Sequence, residues 1–398
     1  MNTMRKVLDK YALFIPGIVL LIFCLAEWWF FILTPYSYFY SRGVHTPNVD
    51  YVATTYGDLT PEDIFITKYP RESRYITDQY GARNIFMPSK VDILIFGESF
   101  GYGAGIGHEY TPAVQLSKLT GYSSAVAPEI YDPFQNKNII ERAIYTIRHS
   151  DPVEPKVVLM IYIDNFLWDW NGGLDVPKMI RGSEKHSYEI SFSKKLDLFH
   201  TDLKKYISDN SPVTILTRKF KSYLKTSLKR ALNYFSLYSM GNNKTYYQNG
   251  SEVIGFRPLN NGFDISKIKE NSYDKLQNFA DAHKQLYEFG LQNNVLVVPL
   301  IIPDKSLAYY NQINDTNYYS EFPGVILEEI IKSFSIPVVS IYPEFLEAIQ
   351  TEFNENGDSI YWGDDTHWNA LGIKISMMKA GEIIKKLMDD KGKNIAPE

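Results

Sequence analysis

The stretch VDILIFGESFG (residues 91–101) decides the fold that this sequence predicts. Its first six residues are apolar except for Asp92, which is the pattern of a parallel β-strand covered on both faces. Gly97 ends the strand, and Ser99 follows at once between two glycines. Because open α/β sheets bind ligands at the carboxyl ends of their strands, we expect Ser99 to be exposed at such an edge.

Outward from this strand, helix-like and strand-like segments alternate through the rest of the chain. This alternation predicts right-handed crossovers and a mostly parallel sheet lying between two layers of helices. The predicted fold class is therefore α/β, a three-layer α/β/α sandwich. The predicted strands are residues 91–96, 156–163, 295–302 and 336–341, and the predicted helices are residues 111–119, 136–148, 273–292, 325–333 and 370–388.

One large domain is predicted at residues 91–390. An interruption at about 171–271 reads as an insertion into that domain. Residues 35–90 are rich in Tyr, Pro and Asp and read as a lead-in that packs on the domain or spaces it from a membrane. Residues 1–34 comprise a short N-terminus and an anchor, and residues 391–398 form a tail.

The insertion contains a basic, amphipathic segment at residues 194–230. It carries ten Lys and Arg residues, while Phe220, Leu224, Leu228 and Leu232 recur every fourth residue and so share roughly one helical face. One interpretation is a solvated helical insertion, since charge runs usually mark exposed faces. The other is a basic surface that lies on anionic lipid headgroups or binds an acidic glycan.

The N-terminal stretch YALFIPGIVLLIFCLAEWWFFIL (residues 11–33) contains one charge, Glu27. A helix of this length spans about 35 Å, enough for the ~30 Å hydrocarbon core of a bilayer. Three basic residues precede the stretch and Arg42 alone follows closely, so the positive-inside rule predicts a single-pass anchor with a cytoplasmic N-terminus and a periplasmic or otherwise extracytoplasmic domain. No signal-peptide cleavage site follows. A buried helix of a soluble domain is the alternative.

Charge and cysteine content limit the possible partners and cross-links. A formal net charge of −5 gives no reason to expect a nucleic-acid partner. Cys24 is the only cysteine, which excludes an intramolecular disulfide.

Ser99 has the surroundings that a nucleophile needs. A serine hydroxyl requires a base within hydrogen-bond reach, a third group that orients the base, and donors for a developing oxyanion. Gly97 and Gly101 let the backbone approach a substrate closely. The backbone amide of Ser99 is itself a candidate oxyanion donor.

His367 is the candidate base. Of the seven histidines it alone combines adjacent carboxylates, Asp364 and Asp365, with a position just before the predicted final helix. One carboxylate would hold the ring tautomer while the other ring nitrogen faces Ser99. His108 is the alternative base. A metal site is the competing chemistry, but no second His-rich or Cys cluster is present to complete one, so neither a metal nor a cofactor is expected.

The sequence GESFG also fits the G-x-S-x-G nucleophile elbow of α/β-hydrolases. Three features argue against that assignment. The elbow follows several strands, whereas residue 91 begins the first convincing one. No HGGG-like oxyanion segment precedes it, and the candidate acids adjoin the histidine instead of lying far from it.

These motifs carry a resemblance to a known superfamily. ILIFGESFGYG resembles the first block of the SGNH (GDSL-type) hydrolases, with Glu98 in place of the usual aspartate, and DDTHWNALG resembles their last block. The spacing D-x-x-H from Asp364 to His367 is the superfamily's standard form. The spacing D-x-H followed by tryptophan, from Asp365, is similar to the polysaccharide O-acetyltransferase branch that includes the alginate acetylation proteins, and we favour Asp365 narrowly.

Two inner segments resemble the second and third blocks of the superfamily. Residues 127–143 match the second block, where Pro128 and Glu129 stand near the place of the usual oxyanion glycine. Residues 157–166 match the third, where either Asn165 or Asp164 takes the place of the usual asparagine. These departures imply that the oxyanion hole is built differently or that catalysis is impaired.

The resemblance implies an SGNH fold, related to flavodoxin-like folds, and a membrane-anchored esterase or O-acyl (acetyl) transferase that acts on a cell-surface polysaccharide or glycan. It implies a Ser-His-Asp triad and, as a partner of the transferase form, a separate membrane protein that delivers acyl groups. The alternative is a catalytically impaired glycan-binding or envelope assembly protein. The residues implied on the substrate or oxyanion side are Gly97, Glu98, Gly101, Asn165, Asp164 and Trp368. For Trp368, packing beneath the site is the competing role, and Asn369 is a candidate N-cap.

Overall fold

The computed structural model describes residues 48, 50–55, 70–128, 139–164, 176–182, 246–249, 252–255, 265–309, 322–355, 360–363 and 365–393. All of them belong to one compact unit formed by His45–Tyr188 and Gly241–Glu398. The strands are β1 (Asp50–Thr55), β2 (Arg71–Ile76), β3 (Lys90–Phe96), β4 (Ser124–Val126), β5 (Glu154–Ile163), β6 (Tyr246–Asn249), β7 (Glu252–Gly255), β8 (Leu296–Ile302) and β9 (Val339–Ser340). The α-helices are α1 (Glu98–Tyr102), α2 (Pro112–Thr120), α3 (Ile139–His149), α4 (Val176–Gly182), α5 (Ile265–Gln292), α6 (Lys305–Ala308), α7 (Pro323–Ser333), α8 (Tyr342–Glu355) and α9 (Ala370–Lys393), and a 3₁₀ turn covers His108–Tyr110.

The central sheet has five strands in the order β4-β3-β5-β8-β9, and every neighbouring pair is parallel. In chain order this is 2-1-3-4-5, the flavodoxin-like arrangement of doubly wound sheets. The predicted α/β class with a mostly parallel sheet is therefore confirmed. In this strand order the topological switch point lies between β3 and β5, and ligands bind beyond the carboxyl ends of the strands there.

Helices bury both faces of the sheet. Because the side chains of each strand alternate between the two faces, one strand contributes to two core clusters. Leu94 and Phe96 of β3 join a core cluster with α3, α5 and α7. Ile93 and Ile95 of the same strand join a second cluster with α2, α8 and α9. The continuous apolar run of β3 follows from this double coverage.

Several elements differ from the sequence prediction in length. The predicted strand at residues 336–341 is reduced to Val339–Ser340, because Pro337 has no backbone N–H to donate to a strand ladder. The helix predicted from residue 273 begins at Ile265, and α9 continues past residue 390 into the predicted tail. The short edge strand β4 and the helix α8 were not predicted from the sequence.

The segment read as a lead-in contains regular structure. Strands β1 and β2 pair in antiparallel register, and residues beyond β2 pack on the edge of the sheet. The side-chain amide of Asn84 accepts from the backbone N–H of Val126 and donates to its carbonyl, at 2.8 and 3.0 Å. These bonds satisfy backbone groups of edge strand β4 that would otherwise be open to another chain.

Other predicted segments lie wholly or partly outside the described residues. Within the predicted insertion, β6 and β7 form an antiparallel ribbon, while residues 194–230 are not among those described. The predicted anchor at residues 11–33 also lies outside them. Among the helices of the described ranges, none is both long and apolar enough to cross a bilayer.

A buried carboxyl on α7 gives the fold a pH-dependent stability. Glu328 is 2 % exposed, and burial raises its pKa to about 7. Lys332, one turn further on, offers Nζ at 3.5 Å, but more than half of its side chain is exposed, so the pair is weak. Because the folded pKa lies above the unfolded value of 4.5, the stabilising contribution is complete below pH 4.5 and is lost as the pH rises through about 7.

We therefore expect the free energy of unfolding of the wild type to fall by up to about 3 kcal/mol between these pH values relative to Glu328→Gln. Urea unfolding at pH 4.5 and pH 8 measures the difference. The exposed neighbour Glu329 provides a matched control, Glu329→Gln, which should follow the wild type. An equal change in the free energy of unfolding between pH 4.5 and pH 8 for the wild type and Glu328→Gln would contradict the prediction.

Candidate active site

Ser99 lies in a sharp turn at the carboxyl end of β3. It is the second residue of the short helix α1, and the residue before it, Glu98, has a left-handed φ of 42° that costs energy for a side chain of this kind. The backbone N–H of Gly101 donates to the carbonyl of Gly97 at 2.6 Å and closes the turn. The Ser99 side chain is partly exposed, as predicted, at the edge of the sheet next to the switch point.

Gly97 is required by a close approach between strands. A Cβ placed on it would lie 2.6 Å from Cβ of Ile161 on β5 and 3.0 Å from Cα of Gly101. A neighbouring strand and a backbone atom cannot both give way, so only glycine fits here. The turn that presents Ser99 is thus packed directly on β5.

Three predicted site residues form a continuous hydrogen-bonded chain. Oγ of Ser99 lies 2.8 Å from Nε2 of His367, and Nδ1 of His367 lies 2.7 Å from Oδ1 of Asp365. The backbone N–H of His367 also donates to Oδ1 of Asp365, at 3.1 Å. With Oδ1 accepting from Nδ1–H, Nε2 is left as the acceptor of the Ser99 hydroxyl, which is the tautomer that a Ser-His-Asp triad uses.

The other carboxylate oxygen of Asp365 binds a cation. Nη2 of Arg71, at the start of β2, donates to Oδ2 at 2.6 Å, and the two side chains are only 7 % and 6 % exposed. The guanidinium group also stacks over the ring of Trp362, 4.5 Å from its centroid. Asp365 therefore uses one oxygen for the histidine and the other for the arginine.

A buried lysine supports the loop that carries Asp365. Lys305 is 1 % exposed, and its Nζ donates to the carbonyls of Trp362, Gly363 and Asp365 at 2.7, 3.1 and 2.9 Å. An ammonium group has three protons, and each of these carbonyls can accept one of them. The lysine thus fixes the backbone on both sides of residue 364, which lies outside the described residues.

Aromatic packing and a helix cap hold His367 from the other side. Its ring lies 5.0 Å from that of Phe100, which also contacts Trp368. Trp368 is fully buried and packs beneath the site, which favours the packing role over the substrate-binding one. Oδ1 of Asn369 accepts from the N–H groups of Leu371 and Gly372, which makes it the predicted N-cap of α9.

Asp164 lies at the end of β5, but its carboxylate binds buried groups of the protein core. Oδ1 accepts from the backbone N–H of Asp304 at 2.7 Å, and Oδ2 accepts from the hydroxyl of Tyr342. Burial, and then the charge of Asp164, raise the pKa of Tyr342 well above its usual value, which keeps that hydroxyl protonated as a donor. A carboxylate that only accepts hydrogen bonds is not a donor for an oxyanion, which argues against that role for Asp164. Asn165 and Glu129 lie outside the described residues.

Two other histidines are buried away from this chain of hydrogen bonds. His108 lies in the 3₁₀ turn, where burial and then the positive charge of Arg83 lower its pKa. His283 on α5 is fully buried, and burial lowers its pKa to about 3. The hydrogen bond of Ser99 is made to His367, as the preferred assignment expects. No group of His, Cys, Asp and Glu side chains suited to a metal ion occurs within the described ranges.

Arg71 and Lys305 are the site residues that the sequence analysis missed. Arg71 stands 294 positions before its partner, in a segment without clear periodicity, so no local pattern could pair them. Lys305 lies three residues beyond the end of the apolar strand β8, and the available signals were this place at the carboxyl end of a buried strand and the P-x-K pattern of residues 303–305.

Replacing Lys305 tests whether its ammonium group holds the loop. In Lys305→Met, one buried and two partly buried carbonyls lose a donor, and we expect the free energy of unfolding to fall by about 1–3 kcal/mol. Lys374 on α9 is exposed, so Lys374→Met is the matched control and should unfold like the wild type. Thermal or urea unfolding measures both variants, and a Lys305→Met protein as stable as the control would refute the role.

Comparison with known proteins gave no match. No protein-family model, no curated protein and no solved structure matches this chain. The functional indication therefore comes from the geometry that joins Ser99, His367 and Asp365.

Proposed function

We propose that this chain is a serine esterase or O-acyl transferase of the SGNH type. Ser99 acts as the nucleophile, His367 as the general base and acid, and Asp365 as the group that orients His367. The observation that carries the proposal is the unbroken chain of hydrogen bonds, 2.8 Å from Ser99 Oγ to His367 Nε2 and 2.7 Å from His367 Nδ1 to Asp365 Oδ1.

This arrangement supports acyl transfer in two half-reactions. Ser99 Oγ forms a bond to the ester carbonyl carbon while its proton passes to Nε2 of His367. The tetrahedral intermediate then collapses, the ester C–O bond breaks, and the imidazolium of His367 returns the proton to the leaving alkoxide. In the second half-reaction His367 removes a proton from water or a sugar hydroxyl, and that oxygen attacks the acyl carbon. The bond between the acyl carbon and Ser99 Oγ then breaks, and the imidazolium of His367 returns the proton to Ser99 Oγ.

The developing oxyanion needs donors near Ser99. The backbone N–H of Ser99 lies in the first turn of α1, where no acceptor is available within the helix, which supports its use as one donor. The resemblance places the other donors near Pro128 and Glu129 and at Asn165. Pro128 has no backbone N–H to donate, and Glu129 and Asn165 lie outside the described residues.

The substrate class follows from the resemblance and the predicted topology. The D-T-H-W-N sequence around His367 is similar to the polysaccharide O-acetyltransferase branch, and the predicted anchor at residues 11–33 would hold the domain outside the cytoplasm. We therefore propose an acetylated cell-surface glycan as substrate or product. In the transferase form a separate membrane protein would supply the acyl group.

A catalytically impaired glycan-binding or envelope assembly protein is the second candidate. It is favoured by Asp164, whose carboxylate accepts hydrogen bonds at a strand end where the resemblance leads one to expect a donor. Such a protein would keep the fold and the triad geometry without turnover.

Ester hydrolysis by the full-length protein in detergent separates the two candidates. With p-nitrophenyl acetate we expect turnover in the wild type, and a loss of at least about 10³-fold in Ser99→Ala and in His367→Ala. Ser333 at the end of α7 is the matched serine control, because α7 leads into β9 and so ends at the opposite edge of the sheet. Ser333→Ala should keep the wild-type rate.

Two outcomes would contradict the assignment. Equal rates in the wild type and Ser99→Ala would exclude Ser99 as the nucleophile and favour the non-catalytic candidate. Activity that survives in His367→Ala but is lost in His108→Ala would show that His108, and not His367, is the general base. A soluble polysaccharide is then added as acceptor, and the mass of the polysaccharide is measured by mass spectrometry. Transfer adds the mass of the acyl group to it, whereas hydrolysis leaves it unchanged.

A further inference from the structure

The geometry points to Arg71 as a positioning residue of the triad: it holds Oδ2 of Asp365 so that Oδ1 faces His367. The hydrogen bonds concerned are Arg71 Nη2 to Oδ2 at 2.6 Å and His367 Nδ1 to Oδ1 at 2.7 Å. The catalytic consequence of this arrangement rests on the proposed function. Arg71 lies in the segment that the sequence predicts as a lead-in, so this segment completes the site.

The need for such a residue follows from the symmetry of a carboxylate. Its two oxygens are chemically equivalent, and each accepts hydrogen bonds from several directions. An aspartate held only by His367 could turn about its terminal torsion and offer either oxygen at a poor angle. A charge-assisted bond from arginine to one oxygen is short and directional, and it fixes the orientation of the other.

The surroundings strengthen this ion pair. A Cβ on Gly105 would lie 3.4 Å from Oδ2 of Asp365 and 3.8 Å from Nε of Arg71, so the backbone of this glycine lies directly against the pair. Gly105 has a left-handed φ of 72°, which glycine adopts without strain. The ring of Trp362 covers the guanidinium group at 4.5 Å. With both side chains nearly inaccessible, the local dielectric is low and the charge interaction is strong.

Hydrogen bonds connect strand β2 to the loop at Gly103–Gly105, which follows the helix that carries Ser99. The hydroxyl of Ser73 donates to the carbonyl of Gly105 at 3.5 Å. The buried Arg83, which follows β2, bridges the strand and the loop: its Nη2 donates to the carbonyl of Arg74 on β2 at 3.0 Å and its Nη1 to the carbonyl of Gly103 at 2.6 Å. Gly103 and Gly105 directly follow the helix that carries Ser99. Arg71 is therefore held at a set distance from the loop that contains the nucleophile.

A double-mutant cycle on ester hydrolysis by the full-length protein tests the inference. We expect Arg71→Met to lower kcat about 100-fold with KM changed less than about twofold, a smaller loss than the ~10⁴-fold that removal of the acid's function costs a triad. Arg71→Lys should retain about tenfold more activity than Arg71→Met, because it keeps the charge but loses the planar fork. In an Asp365→Asn background, Arg71→Met should lower kcat no further, because its effect acts through that carboxylate.

Arg74 provides the matched control on the same strand. Its guanidinium group pairs with Asp50 at 2.6 Å, but about half of each side chain is exposed, and exposed pairs contribute little. Arg74→Met should keep the wild-type kcat. Because removal of one partner of a buried pair also destabilises the fold, circular dichroism and thermal unfolding accompany every variant. If Arg71→Met does not fold, Arg71→Lys replaces it in the cycle.

A second readout does not depend on turnover. The proton on Nδ1 of His367, hydrogen-bonded to Asp365, should give a far-downfield ¹H NMR resonance that disappears in His367→Gln. We expect this resonance to be lost or moved in Arg71→Met and in Arg71→Lys, and unchanged in Arg74→Met. If the wild type lacks ester turnover yet Arg71→Met loses the resonance, the positioning role stands and the proposed function fails.

Other results would overturn the role of Arg71 without affecting the proposed function. Ser99-dependent turnover with an unchanged kcat and an unchanged resonance in folded Arg71→Met would leave the proposed function in place and remove the role of Arg71. Equal losses from Arg71→Met in the wild-type and Asp365→Asn backgrounds would also overturn it, because Arg71 would then act independently of Asp365.

Discussion

The hydrogen bond between Ser99 and His367 joins side chains that are 268 positions apart in the chain, and the rest of the site is arranged around it. It forms because β3 and the loop before α9 meet at the carboxyl edge of the sheet, while α9 packs in the same core cluster as β3 and α2. The turn at Gly97 then directs Ser99 outward, and the cap of α9 places His367 opposite it. The fold thus brings the proposed nucleophile and the proposed base, from distant parts of the sequence, within hydrogen-bond distance.

Charge compensation is the second requirement of this arrangement. Asp365 is nearly inaccessible to solvent, and an unpaired carboxylate in such a place would be strongly destabilising. Arg71 neutralises the carboxylate itself, while Lys305 binds the backbone carbonyls of Trp362, Gly363 and Asp365. The two cations come from elements far apart in the chain, so the geometry at Asp365 depends on the docking of β2 as well as on the sheet. A buried carboxylate is tolerated at residue 365 because the surrounding structure stabilises its charge.

The residues that the sequence could predict are those with local patterns. The run at residues 91–101 combines an apolar strand with a glycine-flanked serine, and both features are readable within eleven positions. Asp365 and His367 are separated by one residue, so their pairing could also be predicted, although the choice of Asp365 over Asp364 needed a family resemblance. Arg71 could not be found, because its function depends on tertiary contacts with Asp365 and Trp362 and on no neighbour in the chain. Strand β9 was predicted too long because its apolar pattern outweighed the missing N–H of a proline.

The most direct test of the central claim is covalent labelling of the full-length protein with a fluorophosphonate, followed by peptide mapping with mass spectrometry. This reagent bonds to a serine whose hydroxyl is activated by a neighbouring base. Our account predicts a single adduct on Ser99 in the wild type and a loss of labelling when His367 is replaced by alanine. An adduct on a different serine, or equal labelling of Ser99 with and without the imidazole of His367, would contradict it.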